Sequence, residues 1–375
     1  MISIFKQKYS TLQEFFCKPM SCKALIWHFL ILLFAAVLLR IFSAIPALSE
    51  ATSLLRPDSM GYWNPALALA AGDGFVSGIG STVPEVIRPV GYPAFLAFSI
   101  KLFGNSLLAA AFMGIICSAS AVVPVVLGVR KMCSDRAGVL AGWLYAVSIS
   151  SVAAAPLILS DTLLGTVAAW QFCLTIYFVK ERQLRYLAGV VLFAIAGALI
   201  KPVNLPVVLC GIPVILVAGW RNMQNFLAGA VITVFFTGAI LLPYLHRNYQ
   251  LCGDFDGNSA NLYFHNGSAI LAYATGESSE VWKNRLLQKA ESEFKLNPEK
   301  YPTLREQNAW KKKEFALLIK KHPAASVITH LPNIFNLLPD MPSFLENNHI
   351  TTGERGTMAV LRQKGFFAAV NHYLN

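Results

Sequence analysis

Six ionisable residues carry most of the chemical content of this sequence: Asp58, Glu85, Arg88, Asp161, Lys201 and Arg247. Three carboxylates and three cations could move a proton or hold a charged ligand, provided that the fold brings them together. Their surroundings make them notable. Asp161 stands between Leu157-Ile158-Leu159 and Leu163-Leu164, and Lys201 directly follows Ala198-Leu199-Ile200. A charge inside or beside an apolar membrane segment costs about 2.5–3.5 kcal/mol unless it faces a polar cavity or a partner, so such residues are read first as functional. Asp161 is the most informative of the six, because so short a side chain cannot reach the interface by snorkelling. Taken singly, each could be an interface charge satisfied by headgroups and water; it is their shared depth that argues otherwise.

That depth follows from the elements that must position them. The chain has 375 residues, of which 55% are hydrophobic and only 14% charged. Soluble domains carry about a quarter charged residues, so much of this surface faces something other than water. The apolar residues fall in long runs, and a helix needs about 20 of them to cross a bilayer. Spans are expected over 24–45, 106–129, 137–156, 157–179, 186–200, 205–220 and 226–245. The first exceeds the apolar run of a cleaved signal peptide and reads as a retained anchor. Lys6, Lys8, Lys18, Lys23, Arg130, Lys131, Arg136, Lys180, Arg182, Arg185 and Arg221 then fall on one side. The positive-inside rule makes that side cytoplasmic and the tail after the seventh span external. The chain divides into a cytoplasmic N-terminus (1–23), a transmembrane bundle (24–249) with an outer loop (46–105), and an external, mostly helical tail (250–375). All six ionisable residues lie near the outer interface.

Within the outer loop, Asp58 or Ser59 can cap a short helix that Gly72 closes as a left-handed residue. Arg88 then precedes Pro89-Val90-Gly91-Tyr92-Pro93, a turn that brings it to the mouth of the bundle. Structure alone could account for this loop as a pair of capped interfacial helices.

The ordered motifs say more. Pro57-Asp58-Ser59, Tyr62 and the run from Ala66 to Gly72-Asp73-Gly74-Phe75 come first, followed by Arg88-Pro89-Val90-Gly91-Tyr92-Pro93. Leu159-Ser160-Asp161-Thr162, Lys201-Pro202, Pro243-Tyr244-Leu245-His246-Arg247-Asn248-Tyr249, Asn261-Leu262-Tyr263 and Asn266-Gly267 come next. This series resembles the GT-C glycosyltransferases, in particular the group of protein O-mannosyltransferases and bacterial aminoarabinose or galacturonic-acid transferases. Val90 stands where a second proline is common, and Lys201-Pro202 where Arg-Pro is usual. The resemblance implies an all-α, GT-C-like polytopic fold with interfacial helices in the first outer loop.

It also implies a hexosyl- or pentosyltransferase that takes its sugar from a polyprenyl-phosphate carrier. The acceptor would be a lipid, glycan or protein on the outer face of a bacterial inner membrane. Inversion in a single displacement is expected, without the nucleophilic carboxylate of retaining glycosidases. Asp58 would be the base, and Arg88, Lys201 and Arg247 would hold the donor phosphate. Glu85 and Asp161 would support those cations or bind a divalent cation, and no organic cofactor is expected. Tyr62, Tyr92, Asn261, Tyr263 and Asn266 would line the substrate loop.

Other classes fit less well. A net charge of +11 does not make a nucleic-acid binder here, because no nucleic-acid motif accompanies it. The seven cysteines form no disulfide framework, with Cys252 alone on the outer side. The seven histidines show no metal spacing, and the run Asp254-x-Asp256-Gly257-Asn258 reads as a turn. A transporter or flippase of a lipid-linked sugar is the alternative; it would place its polar site near the midplane, often in repeated halves. Relatives of this type usually return to the membrane after such a tail. This chain is therefore also readable as an inactive fragment or assembly subunit, or as one needing a second polypeptide to supply further helices. The topology has a direct check. Reporter fusions at Arg221 and Gly276 should report opposite compartments, and a cytoplasmic signal at Gly276 would overturn the shared outer depth.

Overall fold

The computed structural model describes residues 19–204, 223–255 and 259–329. These are mostly helical, and among them there is no strand, only one isolated bridge between Val76 and Pro84. The expected span 205–220, Arg221, Asp256 to Asn258, Cys17, Cys210 and everything from 330 on lie outside the described residues.

Four helical stretches are long and apolar enough to cross a membrane: Cys22–Ser43, Leu107–Met132, Ser160–Glu181 and Phe226–Cys252. The chain is thus an all-α polytopic membrane protein, while a count of seven crossings is not reached among the described residues. The first crossing is α1 (Cys22–Ser43), capped by the Ser21 hydroxyl. In the outer loop, α2 (Ser59–Ala71) and α3 (Gly91–Phe103) pack on each other. The second crossing is hinged into α4 (Leu107–Ser120) and α5 (Val122–Met132). Pro124 sits in the first turn of α5, where its missing N–H removes one ladder bond and bends the run.

The expected third span is broken. It forms α6 (Asp135–Ala146) and the short α7 (Ile149–Ala154), separated at Val147-Ser148. A second irregular stretch follows α7 and leads into α8 (Ser160–Glu181). Next comes α9 (Leu184–Ile200), with 17 residues among the shorter apolar helices. Then α10 (Met223–Phe236) runs through a π turn (Thr237–Leu241) into α11 (Leu242–Cys252).

The tail after α11 folds as a small helical layer: a π turn (Leu262–Asn266), α12 (Gly267–Thr275), α13 (Ser279–Leu296), α14 (Leu304–Lys321) and α15 (Pro323–Ile328). Thr303 with Glu306 closes a capping box at the start of α14. Tyr263, Leu271, Leu286 and Ala290 form its core, with Trp282, Phe294 and Trp310 around them. The layer docks on the end of α11 through the Asn308 amide, which donates to the Cys252 carbonyl (3.0 Å), and a Lys312–Asp254 ion pair.

A separate core joins α2, α3, α4, α8 and α9 through Tyr62, Trp63, Ala66, Tyr92, Leu96, Ala110, Val167 and Ile200. Close approach depends on small residues, as is usual where lipid supplies no hydrophobic drive between helices. Gly91 is a close approach to backbone beside the site. A Cβ there would lie 2.7 Å from the Leu199 carbonyl oxygen and 2.9 Å from the Ile200 nitrogen, both backbone atoms. Gly91→Ala should therefore push α3 off the end of α9 and destabilise the protein by about 1–3 kcal/mol, the usual cost of overpacking. Thermal unfolding in detergent checks this; an unchanged Tm would show that the two elements separate freely.

Candidate functional site

The irregular stretch before α8 is where the site begins. The Ile158 N–H donates to the Leu54 carbonyl (3.0 Å), and the Ser59 hydroxyl donates to the Ile158 carbonyl (2.8 Å). Ser59 is fully buried and also accepts from the Arg56 N–H (2.8 Å). The start of α2 is thereby stitched to the start of α8, which brings Asp58 and Asp161 to the same end of the bundle.

Asp58 occupies the N-cap position of α2, yet its side chain makes no capping bond. The sequence reading left the cap to Asp58 or Ser59; neither hydroxyl nor carboxylate closes it, because Ser59 is turned to Ile158. The carboxylate of Asp58 instead accepts from Arg88 Nη2 at 2.6 Å and is 61% exposed. Arg88 lies over the Tyr62 ring (4.8 Å). Gly61 leaves room for it: a Cβ there would stand 2.9 Å from Arg88 Nε. Burial alone would lower the Arg88 pKa; the hydrogen bond to Asp58 and the neighbouring charges outweigh it and raise the value, so the group stays cationic.

A second pair lies beside the first. Lys201 Nζ donates to Asp161 at 2.6 Å, with Asp161 57% exposed. Lys201 ends α9 in an extended conformation. The following turn is folded back, with the Asn204 N–H on the Lys201 carbonyl (3.0 Å) and its amide on the Ala194 carbonyl (3.3 Å). The two pairs are bridged by buried side chains. The Ser160 hydroxyl donates to Tyr62 Oη (3.2 Å), and Tyr92 packs edge-on against Tyr62 (5.2 Å). Tyr62 and Tyr92 are thus wall rather than loop surface.

Glu85 and Arg247 stand differently from their expected roles. Glu85 is buried, and its Oε1 accepts from the Ile87 and Arg88 amides (2.6 and 2.9 Å), so it shapes the turn that carries Arg88. Arg247, expected among the phosphate ligands, is engaged by backbone instead. Its guanidinium donates to the carbonyls of Glu85 and Phe75 (3.0 Å each) and to the Asn248 side-chain oxygen (3.0 Å). It bolts α11 to the outer loop. Glu85 and Asp161 answer to separate partners, and among the described residues no three His, Cys, Asp or Glu side chains gather to hold a metal ion.

In the outer layer, Asn261 is exposed and Asn266 half-buried, whereas Tyr263 is fully buried against Trp310 and Phe264. Tyr263 is a core residue, which corrects its assignment to the substrate loop. The residue that sequence reasoning missed there is His265, on the same π turn. It is exposed and within electrostatic reach of Asp58, Arg88 and Lys283. No periodicity marks a π turn, although such turns are frequent at functional sites. Partial burial, then Lys283, lowers the His265 pKa; Asp58 opposes this and Arg88 adds to it. With the folded value below the ordinary 6.5, the unfolded chain binds the proton first as pH falls. The His265 contribution to stability is therefore complete above that value and lost as pH drops through and below it. His265→Gln should show a smaller acid-side fall in Tm than the parent protein, with equal values near pH 8. Identical profiles would exclude the effect.

Residues 87–244 match the family described as dolichyl-phosphate-mannose-protein mannosyltransferase. No curated protein and no solved structure matches the chain. The matched stretch includes Arg88, Asp161 and Lys201, while Asp58 and Arg247 lie outside it; Asp58 is joined to it directly by Arg88, and Arg247 through Glu85, whose carboxylate accepts from the Ile87 and Arg88 amides. Across residues 87–244, which include apolar crossings, the chain is thus similar to a GT-C-type family of membrane glycosyltransferases.

Proposed function

We propose that this protein transfers a sugar from a polyprenyl-phosphate carrier to an acceptor hydroxyl at the outer face of the membrane, with inversion at the anomeric carbon. The observation that carries the proposal is the state of Asp58. An N-cap carboxylate normally accepts from the first amides of its helix; this one does not, and faces solvent beside a cation. Once Arg88 is drawn from it, it can take the proton of an attacking hydroxyl.

The bond that forms joins the acceptor oxygen to the sugar C1, and the bond that breaks joins C1 to the phosphate oxygen. Negative charge then collects on the departing lipid phosphate. Arg88 and Lys201 are the groups placed to stabilise it. Both are paired with carboxylates, but these pairs are more than half exposed on the acidic side, and such pairs are worth only about 0–1 kcal/mol. A hydrogen bond between ionised partners in a drier site is worth about 1.5–3 kcal/mol. Donor phosphate can therefore draw the cations from Asp58 and Asp161, and the same exchange frees Asp58 to act as base. Arg247 holds the loop that carries Arg88, so its part is to position. The N-terminus would be cytoplasmic and the helical layer external, over the acceptor side. A divalent cation, if one takes part, would be held by Asp161 with ligands from donor phosphate.

Mass spectrometry of envelope lipids and glycans with and without the gene names the sugar and acceptor together, through the mass increment that disappears. Asp58→Asn keeps the shape and removes the base. It should lower transfer by about 10²–10⁴-fold without loss of membrane insertion. Retention of more than about a tenth of parent activity would remove Asp58 from this role.

A further inference from the structure

Arg40 lies near the end of α1 and is fully buried. Its partners are all neutral: the Ala36 carbonyl (2.9 Å), the Ser118 hydroxyl (2.8 Å), the Ala146 carbonyl (3.3 Å) and the Ser151 hydroxyl (2.8 Å). The guanidinium carbon also stands 5.3 Å from the Tyr145 ring centre. Among the described residues no carboxylate forms an ion pair with it. If packing were all that mattered here, an apolar side chain of similar volume would do it without desolvating a cation.

What the guanidinium supplies is a hold on both sides of the break at Val147-Ser148. Ala146 is the last residue of α6, where carbonyls lack intrahelical partners and a cation is favoured. Ser151 is in the first turn of α7. The Ser43 hydroxyl adds a parallel tie to the Val152 carbonyl (2.9 Å). At the far end of α7, the Ala154 carbonyl accepts from the Thr162 hydroxyl (2.9 Å). Thr162 adjoins Asp161, whose carboxylate holds Lys201 at 2.6 Å. A continuous series of bonds thus runs from a cation inside the bundle to the second pair of the site.

We propose that Arg40 is a positioning residue for donor binding: it fixes α7, and through Ala154 and Thr162 it fixes where Asp161 holds Lys201. The assignment to donor binding rests on the proposed transfer reaction. The positioning itself does not, and the test separates the two.

The first measurement needs no activity. Purified, folded protein is treated with an amine-reactive reagent, and modification of Lys201 is followed by peptide mass spectrometry. Asp161→Asn provides the rate for an opened pair. Arg40→Met should raise the Lys201 rate severalfold toward that of Asp161→Asn, Arg40→Lys should raise it less, and Thr162→Val should raise it with Arg40 intact. Thr162→Val and Ser151→Ala keep the test open should Arg40→Met fail to fold. In transfer assays normalised to folded enzyme, Arg40→Met should raise the donor KM by roughly tenfold, as loss of one hydrogen bond to a charged group would, and leave the acceptor KM unchanged. Parent-like Lys201 rates in folded Arg40→Met and Thr162→Val would overturn the proposal. A chain that transfers no sugar, yet shows the accelerated rates, would sink the transferase reading and leave the positioning in place.

Discussion

Backbone polarity in a membrane is the constraint on which the rest of this structure depends. A crossing that is broken leaves N–H and C=O groups that hydrocarbon cannot satisfy, and each must find a partner within the protein. The chain breaks twice between α6 and α8, and the two breaks are answered from opposite directions. Arg40 and Ser43 reach the first from inside the bundle, through Ala146, Ser151 and Val152. Leu54 and Ser59 of the outer loop close the second on both faces of Ile158. The loop is consequently not a free cover. Satisfying Ile158 places the first turn of α2, and with it Asp58, beside the first turn of α8.

Once those positions are fixed, the electrostatics follow from exposure. Asp58 and Asp161 face solvent, so their pairs with Arg88 and Lys201 hold the side chains in place without locking them. The groups that must not move are buried or half-buried instead. Glu85 is spent on two amides, Arg247 on two carbonyls, and Asn204 on Ala194. Rigid support beneath exchangeable charges is the arrangement that a site needs when it binds a phosphate and releases it on every turnover.

Much of this was legible in the sequence because membranes make charge costly. Asp161 and Lys201 were conspicuous for that reason alone, and the structure pairs them across 40 residues of chain. The crossings 24–45, 106–129, 157–179 and 226–245 were visible as apolar runs. What hydropathy could not reveal was irregular backbone. Residues 137–156 are apolar enough to read as one span, and the break appears only with its partner Arg40, which the same apolar context concealed in α1. Arg247 and Arg88 look alike in sequence, since both are cations at a helix end. They differ in whether a loop carbonyl or a carboxylate arrives, which is tertiary information. Tyr263 and His265 lie two residues apart on a π turn; on an ordinary helix their separation would have implied different faces without saying which was inward.

The family match and the geometry complement each other at this point. The matched residues contain the cations suited to a phosphate, Arg88 and Lys201, together with Asp161. They do not contain Asp58, which sits 29 residues before the match begins (87 − 58). Sequence similarity alone would leave this carboxylate unassigned. Yet Arg88 holds it at 2.6 Å, and the residue next to it in the chain bonds to Ile158, which is inside the match. A group held from both sides by the matched segment shares its frame. Any motion that carried Asp58 away would have to break the bond that satisfies a carbonyl at the membrane interface. For that reason the proposed proton acceptor and the proposed phosphate ligands keep their relative places, although only the latter belong to the recognisable stretch of sequence.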